Sequence, residues 1–576
     1  MRMRKLGIGR LSWLASRCVA TKLQAVNVEF SDCSIHLHQM TSFMSRMILS
    51  LSVCLGIGMS LSACGGGGSG GGAVNTSTPS SNSSTSTTGN NTGLQGLGPN
   101  SLGQNPNSDG YYPDANGRYP DKNGIYPDTN GNYPTPAQVG YYENANGVAR
   151  SYSTAGPLDL NNPFFKPFGN GRSCVTCHDP SAGFSLTPEL AQKKFFASNG
   201  SDPLFTMNDA AVSPKARANS LAEKEIAFAM LLNKGLFRIG MKIPESAEFE
   251  LQSVDDPYDF AGPNELSFFR RPLPSANLKF LSHVMWDGRD TLLDPSSTNC
   301  IPGGICYAAL DLNLARQANN ATLGHAQAAQ GLSAAEQRSI VEFEKTLFSA
   351  QIFSPTAGFL DVAGAAGGAE ALSKANFTFG MNDLEKGNFT TGAPFNRTVM
   401  TNFSTWLAFT GTTNPSIHAV RQSIARGEVL FNTRVFHRTP QVGAPNDLNI
   451  PLTRVTCSSC HNTPQVGGAS APLAVSIFTS EASLRTPDLP LYVLRHKATG
   501  ATQKTTDPGI AMHTGKWEDI GRFKVPSLRG LSARAPYFHN GSAETLLDVV
   551  FYYDTTFQIG FTGQEVNDLV AFLSSL

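Results

Sequence analysis

The sequence predicts a mainly α-helical protein of two lobes, the first with long loop insertions, preceded by a disordered tether. Three observations predict this. Amphipathic helical patterns dominate from about residue 138, and no convincing series of alternating strands accompanies them. A Cys-x-x-Cys-His pattern occurs in "RSCVTCHDP" and again 283 residues later in "VTCSSCHNT", which suggests one lobe per motif. Residues 65–108 are Gly, Ser, Thr and Asn with almost no large apolar side chains, the composition of a flexible tether. The 576 residues suggest about three domains, or two plus appendages. A formal net charge of zero gives no support to nucleic-acid binding.

The segment before the tether reads as a targeting segment, residues 1–64. Residues 44–64, "MSRMILSLSVCLGIGMSLSAC", place Arg46 ahead of an apolar run over 47–61. That run is short for a membrane span and fits a signal peptide over about 44–63. Its end, Leu61-Ser62-Ala63-Cys64, resembles the bacterial lipoprotein cleavage box, in which Cys64 becomes the acylated first residue. The alternative is an ordinary signal peptide or uncleaved anchor with an incidental cysteine. Residues 1–43 precede a plausible start at Met44. The expectation is an exported, periplasmic chain held on a membrane by lipid at Cys64.

Residues 109–137 contain "YPDANGR", "YPDKNGI" and "YPDTNGN". The period is seven, but Pro and Gly in every unit exclude a coiled coil. Asp-x-Asn-Gly resembles a calcium loop, yet each unit is too short for an EF-hand and lacks its final Glu. A semi-rigid stalk and a calcium-binding array stay open.

Two folded regions are expected, 138–415 and 416–576. "SAAEQRSIVEFEKTLFSAQ" opens with a Ser333 cap and Glu336 three residues on. "SIHAVRQSIARGEVLFN" leads towards the second motif. "TGQEVNDLVAFLSSL" closes the chain with Val566, Leu569, Val570 and Leu573 at helical spacing. Cys300 and Cys306 flank "IPGG"; in an oxidising compartment they suggest a disulfide that pins a loop.

The chemistry rests on Cys174, Cys177, His178 and on Cys457, Cys460, His461. Two thiols at this spacing can each form a thioether to a haem vinyl group, and the following His can bind the iron from beneath the ring. This is the c-type haem attachment pattern. Zinc and a redox dithiol are the alternatives; zinc usually needs a second Cys or His pair near each motif. Two covalent haems c are expected, in two cytochrome-c-like domains. Attachment of this kind occurs outside the bacterial cytoplasm, in agreement with export.

Two further stretches, "FLSHVMWDGRDTLL" and "FKVPSLRGLSARAPYFHNGSAETLLDVVFYYD" (523–554), together with the ordered haem motifs, resemble the bacterial dihaem cytochrome c peroxidase and MauG family over roughly residues 145–576. The resemblance implies that the N-terminal haem, with His178 as proximal ligand, reacts with hydrogen peroxide. The C-terminal haem, with His461 as proximal ligand, would transfer electrons. It implies that Trp286 lies between the haems and carries charge; the alternative is a core tryptophan. His539 matches a position near the interhaem region, in a redox or a hydrogen-bonding role.

Departures from the family carry as much information. Its peroxidases often keep a histidine on a loop after the first motif, which blocks the iron at rest. Here no His occurs between His178 and His283, which implies an open distal position, as in MauG. The family supplies a glutamate ten residues after a Gln-Ala pair. Gln317 and Ala318 match the pair, but Gln327 stands at the glutamate position, and an amide cannot shuttle a proton. His325, two residues earlier, can; imidazoles titrate near ~6.5. A structural histidine is the alternative. Calcium between the domains is doubtful, because the position of its Asn ligand holds Arg271. The family's methionine ligand to the second iron falls, by spacing from His539, on Tyr553. MauG has a tyrosine in this role. Tyr552 and Met512 remain alternatives.

The expectation is therefore a MauG-like enzyme that reacts with peroxide and shares oxidising equivalents through Trp286, possible in a high-valent state of both haems. An unknown electron donor or a protein substrate would discharge them. The alternatives are a peroxidase fed by a cytochrome, a pure electron-transfer dihaem cytochrome, and an oxygen-dependent cleavage enzyme.

Overall fold

The computed structural model describes residues 140–408, 414–437 and 454–576. The signal segment, Cys64, the linker and the seven-residue repeats all lie outside the described residues.

Helices and sheets share the fold, which corrects the mainly α expectation. The longest helices are where the helical patterns put them. Leu310–Gly324 packs beside Ala334–Thr346, whose start is closed by reciprocal Ser333 and Glu336 bonds. Pro415–Thr433 crosses Gly563–Ser574. Gly427 makes that crossing close, since a Cβ there would stand 2.0 Å from the Asp568 carbonyl oxygen. Val566, Leu569 and Leu573 face the core formed with Phe403, Trp406, Phe431 and Phe572. Each such side chain contributes about 1.5–3 kcal/mol through burial.

The strands escaped pattern recognition for a physical reason. Alternation appears only when one face of a strand meets water. Leu347–Ser354 is buried along seven of its eight residues, and Leu266–Arg270 along all five. Leu347–Ser354 is central in a four-stranded antiparallel sheet with Gly147–Ser153, Tyr141–Asn144 and Gly358–Phe359. The "LFSAQ" that ends the helical pattern opened by Ser333 is thus strand. Phe249–Asp255 pairs with Leu491–His496, which pairs with Thr502–Thr505, so one sheet draws strands from both sides of residue 415. Cys300 and Cys306 form a disulfide across the hairpin Asn299–Ile301/Ile305–Tyr307. No helix among the described residues is long and apolar enough to cross a membrane.

The "WDGR" segment is fixed by a buried ion network. Arg270 donates to Asp287 at 2.5 Å and to Asp507 at 2.7 and 2.9 Å, and Arg289 joins Asp287 at 2.9 Å. Opposing charges offset the burial cost, so Asp287 stays ionised, its pKa far below the usual carboxylate range. Removing one partner from such a network costs about 3–5 kcal/mol.

Candidate functional site

Each Cys-x-x-Cys-His motif forms one helical turn on the wall of its own cavity. Cys174–Cys177 begins where the Ser173 N–H donates to the Thr176 hydroxyl at 3.0 Å. Cys457–Cys460 begins where the Thr456 N–H donates to Ser459 at 2.9 Å. Residues three apart on a helical turn share a face, and both cysteines of each pair line the cavity with the following histidine. The cavities enclose about 1510 and 1680 Å³ with their mouths included.

The histidines are held alike. His178 Nδ1 lies 3.1 Å from the Phe184 carbonyl oxygen, and His461 Nδ1 lies 2.6 Å from that of Gly467. A ring that donates Nδ1–H to a carbonyl keeps its lone pair on Nε2. Burial favours the neutral ring; it pushes His178 down to about 4 and lowers His461 as well. Burial also pushes the thiols of Cys174 and Cys457 up to about 12 and Cys177 to about 11. Reactive dithiols need the opposite shift. No disulfide joins either pair, and among the described residues no three or more Cys, His, Asp or Glu side chains gather to hold a metal ion. These donor sets fit a thioether-bound haem above a neutral imidazole better than zinc or a redox dithiol.

The first cavity is also lined by Gln317, His325, Glu344 and Trp286. His325 follows the helix Leu310–Gly324, and its Nδ1 lies 2.5 Å from Asp209 Oδ2. Asp209 Oδ1 accepts from Arg172 at 2.6 Å, and Arg172 also donates to the His325 carbonyl at 3.1 Å. Burial alone would raise the Asp209 pKa; the His325 hydrogen bond and the Arg172 charge outweigh it and lower the value. Asp209 and Arg172 were not singled out from the sequence. No motif surrounds Asp209, and 116 residues separate it from His325, so only the folded chain reveals the pair. Gln327, in contrast, is exposed and lies outside the cavity lining; its amide oxygen accepts from Asn170 at 3.3 Å. A polar recess with Asp290, Arg316 and His513 adjoins the cavity and shares Arg289, Gln317 and His325 with it. Glu344, also overlooked, is buried, and burial pushes its carboxyl up to about 8.

Trp286, Arg271, Lys524 and Arg534 line both cavities. The Trp286 indole donates to the Arg271 carbonyl at 2.8 Å, and the Trp286 carbonyl accepts from the Lys524 N–H at 2.9 Å. The His539 ring stacks on Phe523 at 3.9 Å and stands edge-on to Trp286 at 6.3 Å. His539 thus reaches Trp286 from the wall of the second cavity. The Arg271 guanidinium donates to the carbonyls of Leu186, Lys234 and Arg534. Oxygens that could ligate calcium there already accept from a cation, so these residues do not fit the ion.

The helix Leu546–Phe557 turns Leu546, Val549, Val550, Tyr553 and Phe557 towards the second cavity. Tyr552, next in sequence to Tyr553, is not in the lining; its hydroxyl donates to the Ile477 carbonyl. Met512 packs among Ala247, Phe249, Phe268 and Tyr492 and lines neither cavity. That packing removes it as a ligand to the second site. Burial pushes the Tyr553 phenol far above its usual range, so it would become a phenolate only beside a strong cation.

No family model matches the chain. Similarity to curated proteins is partial. A cytochrome-c peroxidase IdrP1 of Denitromonas iodatirespirans is 32% identical over 143 residues, 21% of this chain and 36% of its own length. An IdrP1 of Pseudomonas sp. (strain SCT) is 27% identical over 205 residues, covering 32% and 47%. The cytochrome c551 peroxidase of Nitrosomonas europaea is 33% identical over 124 residues, covering 21% and 30%. The chain therefore matches between 30% and 47% of the length of these relatives. Their names support kinship with cytochrome-c peroxidases.

Proposed function

We propose that this chain is a dihaem oxidoreductase that reduces hydrogen peroxide. One haem c would be held by Cys174, Cys177 and His178, the other by Cys457, Cys460 and His461. The observation that carries the reading is the pair of like cavities, each with its own motif and locked imidazole, meeting at a wall built around Trp286. Bound haem supplies the one-electron chemistry by which one peroxide, two electrons and two protons become two waters.

The chain's residues supply the rest. His325 takes a proton from one peroxide oxygen and returns it to the other. Asp209 holds Nδ1–H, so Nε2 is the basic atom, and Arg172 keeps Asp209 ionised. Gln317 lines the same space and positions the oxidant. Trp286 carries charge between the two sides, with His539 packed against it. Tyr553 lines the second cavity and, as a hard anionic donor to a haem held there, would favour its oxidised states. This supports a MauG-like course over turnover with a cytochrome. The electrons come from a reductant protein or from a side chain of a protein substrate. Export and lipid attachment at Cys64 complete the proposal and place the protein on a periplasmic membrane face.

The test is to mix ferric protein with peroxide and follow both sites in a stopped-flow spectrometer. Rapid change at both sites supports the reading. Inertness to peroxide returns the chain to a pure electron-transfer role, and a stable dioxygen complex before any peroxide points to oxygen-dependent cleavage.

A further inference from the structure

Arg271 is buried, 5% exposed, and among the described residues it makes no ion pair. Burial and the like charge of Arg534 disfavour its own charge, and Tyr537 and Glu189 offset part of this without pairing. A lone guanidinium at such a place is costly unless dipoles compensate it. Here three carbonyls do so: Leu186 at 2.7 Å, Lys234 at 3.0 Å and Arg534 at 3.0 Å. These oxygens come from three separate stretches of chain. Leu186 follows the first haem motif, Lys234 ends the helix Ala229–Lys234, and Arg534 follows the turn Leu531–Ala533 beyond the second motif. Converging backbone carbonyls are how proteins hold hard cations.

The backbone of the same residue is used as fully. Its N–H donates to the His539 carbonyl at 2.7 Å, and its carbonyl accepts from the Trp286 indole at 2.8 Å. Gly235 leaves the space for this arrangement. A Cβ there would stand 2.4 Å from Arg271 Nη1.

We propose that Arg271 is a built-in cation that replaces a divalent ion between the halves of the molecule and acts as the positioning residue for Trp286. Its side chain ties the stretches that carry Leu186 and Lys234 to Arg534, which lines both cavities. Its backbone sets the indole and His539 between them. The proposal rests on the dihaem reading for its electron-transfer consequence, but the cation itself does not depend on that reading.

The experiment uses the full chain as isolated, with Arg271→Gln, Arg271→Lys and Gly235→Ala. Thermal unfolding of the wild type should not change with chelator or with millimolar calcium. A fall on chelation that calcium restores, and that persists in a full chain with Asp114, Asp121 and Asp128 of the repeats changed to Ala, would overturn the proposal, whether or not the protein proves to carry haem. Arg271→Gln should lower the melting temperature by about 5 °C or more. After peroxide is added, the response of the second site should slow by about tenfold or more relative to the first. Arg271→Lys, which keeps the charge and three donors, should recover part of both losses. Wild-type coupling between the sites in Arg271→Gln overturns the positioning role. If Arg271→Gln does not fold, the decision passes to Gly235→Ala, which displaces the guanidinium without removing it. Coupling in Gly235→Ala equal to wild type then overturns the proposal.

Discussion

The two cavities begin from the same five-residue motif and end in different walls. Around Cys174, Cys177 and His178 the wall is chemically varied: His325 braced by Asp209 and Arg172, Gln317, Glu344, and a polar recess beside them. Around Cys457, Cys460 and His461 it is mostly aromatic and aliphatic, with Phe431, Phe436, Phe557 and Phe561, and Tyr553 on the helix Leu546–Phe557, while Arg271, Lys524, Arg534 and His539 stand on the side towards Trp286. The Cys-x-x-Cys-His turn is local and repeatable, whereas the chemistry open to each cavity depends on what distant segments bring to its wall. The first wall carries groups that can exchange protons with a small molecule, whereas the second presents mainly rings and aliphatic chains around Tyr553.

The harshest way to break the comparison removes one module. Cys174→Ala with Cys177→Ala should halve the haem that survives acid-acetone extraction and leave the second site's spectrum in place. The Cys457, Cys460 double variant should do the reverse. Complete extraction of haem from the wild type would end the dihaem reading.

His325→Ala should slow the reaction with peroxide by about 10²-fold or more, measured by stopped flow, without altering haem content. An unchanged rate would return His325 to a structural role. Tyr553→Phe should act on the other side only. It should change the second site's spectrum and raise its reduction potential, because a hard anionic donor has been lost, while cyanide binding at the first site stays as it was. A smaller effect is expected from Asp209→Asn: about tenfold in the same peroxide rate, since the carboxylate acts through His325.

The smallest expected effect is on the pH dependence of stability. Glu344 has a folded pKa near 8, above that of the unfolded chain, because burial disfavours its charge. Stability linked to its proton is therefore complete below the unfolded value and is lost as pH rises towards about 8. Melting temperature should decline across that window, and Glu344→Gln should flatten the decline. An equal slope in wild type and variant would assign the dependence elsewhere.

Much of the site was legible before the fold. Cys-x-x-Cys-His carries its own geometry, because one helical turn and the next residue place all three side chains together. Tyr553 was singled out by the family resemblance, which places a ligand at that position counted from His539, and the structure turns it and not Tyr552 towards the second cavity, since neighbours on a helix point about 100° apart. Met512 was a reasonable alternative by residue type and fell only to its packing with Phe249 and Tyr492. Gln327 held the position that spacing favoured, but its side chain turns to Asn170.

What the sequence determined by itself were features whose physics spans a few residues: the two Cys-x-x-Cys-His turns, the caps and apolar faces of the long helices, and the Cys300–Cys306 loop. Tertiary structure decided the rest. Buried strands such as Leu347–Ser354 show no alternation, because both faces meet protein. Asp209 meets His325, and Arg271 gathers carbonyls from Leu186, Lys234 and Arg534, only because folding joins stretches far apart in the chain. Local order follows from backbone geometry that short patterns encode, whereas a buried charge can be balanced only by groups that the whole fold brings to it.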